Sequence, residues 1–463
     1  MPEYRVRHCN LTAPALRIKS GLCNIVGIMD SNGAQDTKDR WKSNAQTHWK
    51  PDAWRGCYAT TVPWNYSATL DQCNHFGDAG LNAEGTVTKT NVQMGEVPPG
   101  TLGRGYNLRG YKAYLFGAND MAFGQFRVRA QMPIADVTDQ TTRFAPRFHY
   151  DWLRSVNARV GLIYMSSTDS IDPSGGGANR GPRLAGYNRA GTRGTQVELT
   201  NLRTAAGWKY AETADIAMGA TLTAQYGEAE LQLWNDTPKS GKYLHIQQFR
   251  FYVPSAPTGL SINTCAQGGA TTRTHSAEAG QTITANSVTF QSGYLDAAMN
   301  AECAALDYNL NWHHLGQNPT GGTVASELAE IEQGADRWRA AMVLDGQSPL
   351  TILSTPWPTD STTRWQELAD GIEAICLRRG WGCLDLYGEC MREFGNHTAT
   401  IAALCPSGYG PSESPVGTPS TDQVHLSLWG GVWRARKEWS LINAAANSQV
   451  LTNGVVAPLR GRR

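Results

Sequence analysis

The chain has 463 residues, 41% hydrophobic and 17% charged, too apolar for a disordered chain and too long for one ordinary compact domain. Lys plus Arg number 41 and Asp plus Glu 40, a formal charge of +1, so there is no basic footprint of the kind nucleic acid requires. No run of eighteen apolar residues occurs, so no membrane span is expected.

In chain order, residues 1–30 lack a basic start, apolar core and small-residue cleavage site, and no signal peptide is expected. Residues 22–29 form an apolar run that reads as a strand, ending at the turn cluster Asp30-Ser31-Asn32-Gly33. A helix-compatible polar stretch follows, Asp36 to Trp49. From about 86 to 253 the pattern changes to period-two segments: 125–130, 160–165, 196–199, 230–234 and 243–253. Gly, Pro, Asn and Asp punctuate them, which predicts an antiparallel β-sandwich. Pro98-Pro99 and Pro254-Ser255-Ala256-Pro257 mark its edges. Strands and helices then alternate: strands at 261–266, 309–315, 350–354 and 383–387, helices within 290–306 and at 324–343, 365–378 and 426–443. That alternation predicts a parallel sheet covered on both faces. The architecture expected is a three-layer α/β/α domain (1–95 and 257–463) interrupted by an inserted β-sandwich (96–256).

Ten cysteines include no CxxC pair, so no zinc site or other metal site is expected. Cys23 and Cys265 lie in apolar runs and read as small core residues. Cys57 with Cys73, and Cys390 with Cys405, lie in loop-like stretches and are candidates for bridges, which would imply an oxidising compartment.

In open parallel sheets, ligands bind at the carboxyl ends of strands. Those ends carry Asp30-Ser31, Gly268-Gly269-Ala270-Thr271-Thr272 and Gly316-Gln317-Asn318, and Thr421-Asp422-Gln423-Val424-His425 precedes the last helix. This set fits acyl transfer. A serine hydroxyl becomes nucleophilic when a histidine takes its proton, and the histidine needs a carboxylate to fix its tautomer. Asp422 and His425 are three apart, so a single turn can place both on one side. The amides of Ser31 and Gly269 and the side chain of Asn318 can supply three donors to an oxyanion.

These blocks, in this order, resemble the SGNH (GDSL-like) hydrolase superfamily: Met29-Asp30-Ser31, Gly269-Ala270-Thr271-Thr272, Gly316-Gln317-Asn318-Pro319 and Asp422-Gln423-Val424-His425. The resemblance covers about 20–80 and 257–445. It implies a flavodoxin-like three-layer hydrolase with Ser31 as nucleophile, His425 as base, Asp422 as its orienter, and Ser31, Gly269 and Asn318 as the oxyanion hole. No cofactor is implied. The chain departs from the pattern at Met29, where the family has glycine, and at Pro319, where it has an acid. Phe116-Gly117-Ala118-Asn119-Asp120 copies the third block more fully, but it lies between two strand-like runs and reads as a tight turn.

Several other residues carry two readings. His314, on the strand before Gly316, and Trp357, between two prolines, could border the substrate or fill the core. His313 and His314 alternate across the sheet and cannot share one metal. Trp429 and Trp433 are one helical turn apart and read as core, and Ser174-Gly175-Gly176-Gly177 reads as a loop. Trp152, Trp208, Trp234 and many tyrosines suit the insert to contact sugar rings.

The function expected is a serine esterase removing O-acetyl groups from a polysaccharide or oligosaccharide, in an extracellular or virion-associated setting. The alternatives are a carbohydrate-binding or adhesion protein with a relict hydrolase site, and a lipase or thioesterase of the same superfamily.

Overall fold

The computed structural model describes residues 6–30, 295–405, 424, 426 and 428–453, with the strands named below and short stretches beside them within 67–292. Five parallel strands form the central sheet: β1 (Leu22–Met29), β2 (Gly259–Ala266), β3 (Leu310–His314), β4 (Leu350–Ser354) and β5 (Gly382–Leu384). Their order is β2-β1-β3-β4-β5, so the strand order reverses at β1. Met29 pairs with Ala266 on one side and His314 on the other. The crevice outside the carboxyl ends of β1 and β3 is therefore the topological switch point, where folds of this order bind ligands.

The central strands are apolar because both faces are covered. All five residues of β3 are buried, and its polar members find partners: Asn311 Nδ2 donates to the carbonyl of Ala335 at 3.0 Å, and Trp312 Nε1 donates to Ser354 Oγ at 2.7 Å. One face packs on α1 (Thr12–Ser20) and α7 (Leu428–Asn453), joining Ala15, Ile18, Ile25, Trp312, Trp439 and Ile442 in one cluster. Another cluster joins Leu353 and Cys383 to Ile331 and Ala335 of α3 (Val324–Leu344) and Ile372 and Ile375 of α4 (Arg364–Arg379). Helix α2 (Leu295–Leu306) runs between β2 and β3 in the chain. The expected three-layer α/β/α arrangement is present.

Three local differences have physical causes. The strand expected to run to Tyr387 stops at Leu384, because Asp385 caps a new helix, α5 (Leu386–Phe394). Its carboxylate accepts from the amide of Gly388 at 2.9 Å, the amide of Arg7 at 2.8 Å and the hydroxyl of Thr355 at 2.9 Å. Asn396 caps a further helix, α6 (His397–Leu404). Cys390 and Cys405 are buried free thiols rather than a bridge, both packed in the cluster around Trp357 and Trp433. Cys23 is buried in β1 as a core residue, its thiol pushed up by burial.

The region between β1 and β2 contributes antiparallel strands. Asn107–Leu108, Tyr111–Tyr114, Arg129–Pro133, Asn157–Ser166, Gly207–Glu212 and Tyr243–Tyr252 belong to one sheet, joined by Ser67–Thr69 and Ile216–Ala217. Thr142–Phe144, Arg147–His149, Arg183–Asn188, Val197–Glu198 and Tyr226–Leu233 form a second. Ser67–Thr69 pairs with Arg250–Tyr252, so one strand comes from chain ahead of residue 96. The helix expected at Asp36–Trp49, the turn at Asn119, Cys57 with Cys73, the 174–177 loop, and the side chains of Trp152, Trp208, Trp234 and Trp429 lie outside the described residues.

Candidate active site

The candidate site is built at the carboxyl ends of β1, β3 and β4. Asp30 directly follows β1 and is 1% exposed. Ser31 follows it directly and lies outside the described residues, as do Gly269, Asp422 and His425. Of the oxyanion-hole residues, Asn318 is described, half-buried in the turn after β3.

That turn is fastened on three sides. Gly316 has φ +110°, a conformation that L side chains rarely adopt, which explains the glycine at this position. Gln317 is buried and its Nε2 donates to the carbonyl of Trp357 at 2.8 Å. Arg364 donates to the carbonyl of Gly316 at 2.8 Å and to Glu327 Oε2 at 2.6 Å. Glu327, itself buried, accepts from the amide of Thr320 at 3.0 Å through its other oxygen. Helix α3 begins just beyond, with Thr323 Oγ1 accepting from the amide of Ser326 at 3.2 Å. Asn318 thus sits on a backbone held at both ends.

Trp357 is the hub. Its ring lies 5.1 Å from that of His314, centroid to centroid, and the Arg434 guanidinium lies 5.3 Å over it. It shares an apolar cluster with Leu426 and Trp433. Leu426 and Val424 flank residue 425, and the Val424 carbonyl accepts from the thiol of Cys405 at 3.8 Å. Gly430 lets α7 cross close beneath: a Cβ there would overlap the carbonyl of Leu404. His314, just before the third block, and Leu426, just after the fourth, therefore pack around one buried residue, Trp357.

The polar residues here are strongly desolvated. His314 and Trp357, expected to border the substrate or fill the core, are 1% and 0% exposed. Burial, and then the charge of Arg434, hold the His314 imidazole well below its ordinary range. His313 is lowered to about 3 by burial. Among the described residues, neither ring has a hydrogen-bond partner on either nitrogen. Arg434 is wholly buried, and its Nε donates to Glu438 Oε1 at 2.9 Å. Burial lowers the guanidinium's pKa against the opposing charges of Glu438 and Asp30. Sequence pattern missed this group, because charged residues on a helix ordinarily mark a solvated face.

Among the described residues no group of three His, Cys, Asp or Glu side chains is arranged to hold a metal ion. No helix among them is long and apolar enough to cross a membrane.

No family model and no curated protein matches the sequence. Solved structures do. The chain is similar to a peptidoglycan O-acetylesterase over 95% of its own length and 96% of that chain, with a TM-score of 0.51 and 12% identity. It is also similar to a family two carbohydrate esterase from Cellvibrio japonicus (69% and 98% covered, TM-score 0.25, 8% identity). A third is Est24, a carbohydrate acetylesterase from Sinorhizobium meliloti (40% and 79% covered, TM-score 0.26, 12% identity). The first of these carries the fold likeness.

Proposed function

From the SGNH-hydrolase fold that this chain has, we propose a serine esterase that removes O-acetyl groups from a carbohydrate polymer. Ser31 attacks the ester carbonyl while His425 takes its proton and Asp422 fixes the imidazole tautomer. The oxyanion is held by the amides of Ser31 and Gly269 and by Asn318. His425 then protonates the departing sugar hydroxyl, and water, activated by the same imidazole, releases acetate. His314 and Trp357 form the floor under this site. The antiparallel sheets form a sandwich, residues 96–256 with the strand at Ser67–Thr69, that shapes the approach of the glycan to the hydrolase formed by 1–95 and 257–463.

One observation carries the reading. The Gly316–Asn318 turn and the chain after residue 425 are tied to Trp357, through Gln317 and Leu426, and Arg434 over the Trp357 ring feels the charge of Asp30 at the end of the first block. A serine, a histidine and an amide from those blocks would face one crevice. The fold likeness to a peptidoglycan O-acetylesterase over nearly the full length supports a glycan-directed substrate.

The test is acetate release from O-acetylated peptidoglycan and from p-nitrophenyl acetate. Wild type should turn over both, and Ser31→Ala neither. Activity that rises with acyl chains longer than butyrate would favour a lipase instead. No turnover by a folded wild type would favour a glycan-binding protein.

A further inference from the structure

Three free thiols, Cys9, Cys376 and Cys383, converge at the β5 edge of the parallel sheet, outside the catalytic blocks. Cys9 and Cys383 form an isolated antiparallel bridge: the amide of Cys383 donates to the carbonyl of Cys9 at 2.8 Å, and the amide of Cys9 to that of Cys383 at 3.3 Å. Directly opposed residues in such a pair have Cα atoms roughly 5.5 Å apart, inside the range a disulfide spans. Cys376 approaches from the end of α4, and its Sγ donates to the carbonyl of Gly382 at 3.4 Å.

The arm bearing Cys9 is already seated. Arg7 Nε donates to Asp370 at 2.6 Å, and the Arg7 amide to Asp385 at 2.8 Å. His8 Nδ1 accepts from the Asp385 amide at 3.0 Å, which leaves the proton on Nε2, 3.1 Å from Glu389. Asn10 Nδ2 donates to the carbonyl of Cys376 at 3.1 Å. A covalent link here would tie together residues that the fold has already placed side by side.

We propose that Cys9 and Cys383 are a disulfide-forming pair that staples the amino-terminal arm across the open edge of β5, with Cys376 left as a thiol. The oxidant is a small-molecule disulfide. One cysteine thiolate attacks it, forming a mixed disulfide and releasing one thiol. The second thiolate attacks the protein-bound sulfur, closing the bond and releasing the other thiol. Two protein protons pass to the two departing thiolates, and the electrons reduce the small disulfide.

In the folded protein the neighbouring Cys383, burial and the charge of Glu373 hold the Cys9 thiol far above its ordinary range. The contact with Cys376, burial and the charge of Asp385 do the same for Cys383. The folded pair is a poor nucleophile. The bond therefore closes while the chain folds, when both thiolates are accessible, and the same carboxylates then repel an incoming reductant thiolate. The link closes a loop over most of the chain, where the entropic effect on the unfolded state is large.

The test folds the full chain from denaturant in a reduced and oxidised glutathione buffer and, in parallel, under full reduction. Free thiols are then alkylated in denaturant and peptides mapped without reduction. The expected result is a Cys9–Cys383 linked peptide with Cys376 alkylated, and a Tm about 5 °C or more above the reduced protein. Cys376→Ser should keep both, and Cys9→Ser should lose both. Alkylation of all three cysteines in the oxidised sample, or a link between Cys376 and Cys383, overturns the proposal.

Discussion

The side-chain amide of Gln317 donates to the carbonyl of Trp357 at 2.8 Å, binding the turn after β3 to the exit of β4. Asn318, next in sequence, is the proposed oxyanion donor. Gln317→Ala removes a buried donor and lets the turn shift. The expected cost is about 1–3 kcal/mol of stability and a fall in kcat of about 10- to 100-fold with KM little changed. Steady-state kinetics with p-nitrophenyl acetate beside thermal denaturation checks both. A kcat equal to wild type would remove Gln317 from the positioning of Asn318.

Gly316 supplies the backbone conformation that starts this turn. A Cβ would meet Pro356 and Leu368 at ordinary contact distances, 3.6 and 3.7 Å, so strain rather than overlap is the penalty. Gly316→Ala should destabilise the protein by about 1–3 kcal/mol, read from urea unfolding.

Arg434 and Glu438 form an ion pair of which neither side chain is exposed. Removing one partner leaves a charge stranded in the interior, so Arg434→Met should cost about 3–5 kcal/mol. The double change Arg434→Met with Glu438→Leu should recover most of that loss. The comparison is by denaturant midpoint at constant m-value. If the double variant is as unstable as the single, Arg434 stabilises through another group, and Asp30 is the first to test.

His313 and His314 are neutral in the fold and take up protons readily only when the chain unfolds. Between the ordinary histidine value and the folded value of about 3 for His313, the unfolded state binds more protons, so stability falls as pH falls. The slope should approach about 1.4 kcal/mol per pH unit for His313 between roughly pH 6 and pH 4. Glu389 adds to the loss near the bottom of that window. Burial opposes its ionisation, but the His8 hydrogen bond and the charges of Lys437 and Arg392 win, so its stabilisation disappears as it protonates. Chemical denaturation across pH 4–7 measures this slope, and His313→Asn should remove its share while leaving that of His314.

The sheet was readable from the chain because its strands are buried on both faces and so are written as apolar runs: 22–29, 261–266 and 350–354 fall within or match β1, β2 and β4. The turn after β3 was readable because Gly316 and Asn318 punctuate it. Helix α1 was not, because only Pro14, Ala15 and Ile18 of its nine residues are buried and the periodicity is short. The end of β5 was misread because Leu384-Asp385-Leu386-Tyr387 alternates like a strand, while Asp385 in fact caps a helix. The Arg434–Glu438 pair has no sequence signature, since burial comes from the packing of α7 against the sheet. Ser31, Gly269, Asp422 and His425 remain a proposal resting on motif order and on where their neighbours sit.

The central claim is that the hydroxyl of residue 31 is activated by the imidazole of residue 425, and active-site labelling tests it most directly. Folded wild type is treated with a fluorophosphonate and the modified peptide is sequenced by mass spectrometry, beside His425→Ala with an unchanged circular dichroism spectrum. The account predicts one label per chain, on Ser31, slowed at least about 100-fold in His425→Ala. A label on another serine, or equal labelling of Ser31 in both proteins, would contradict it.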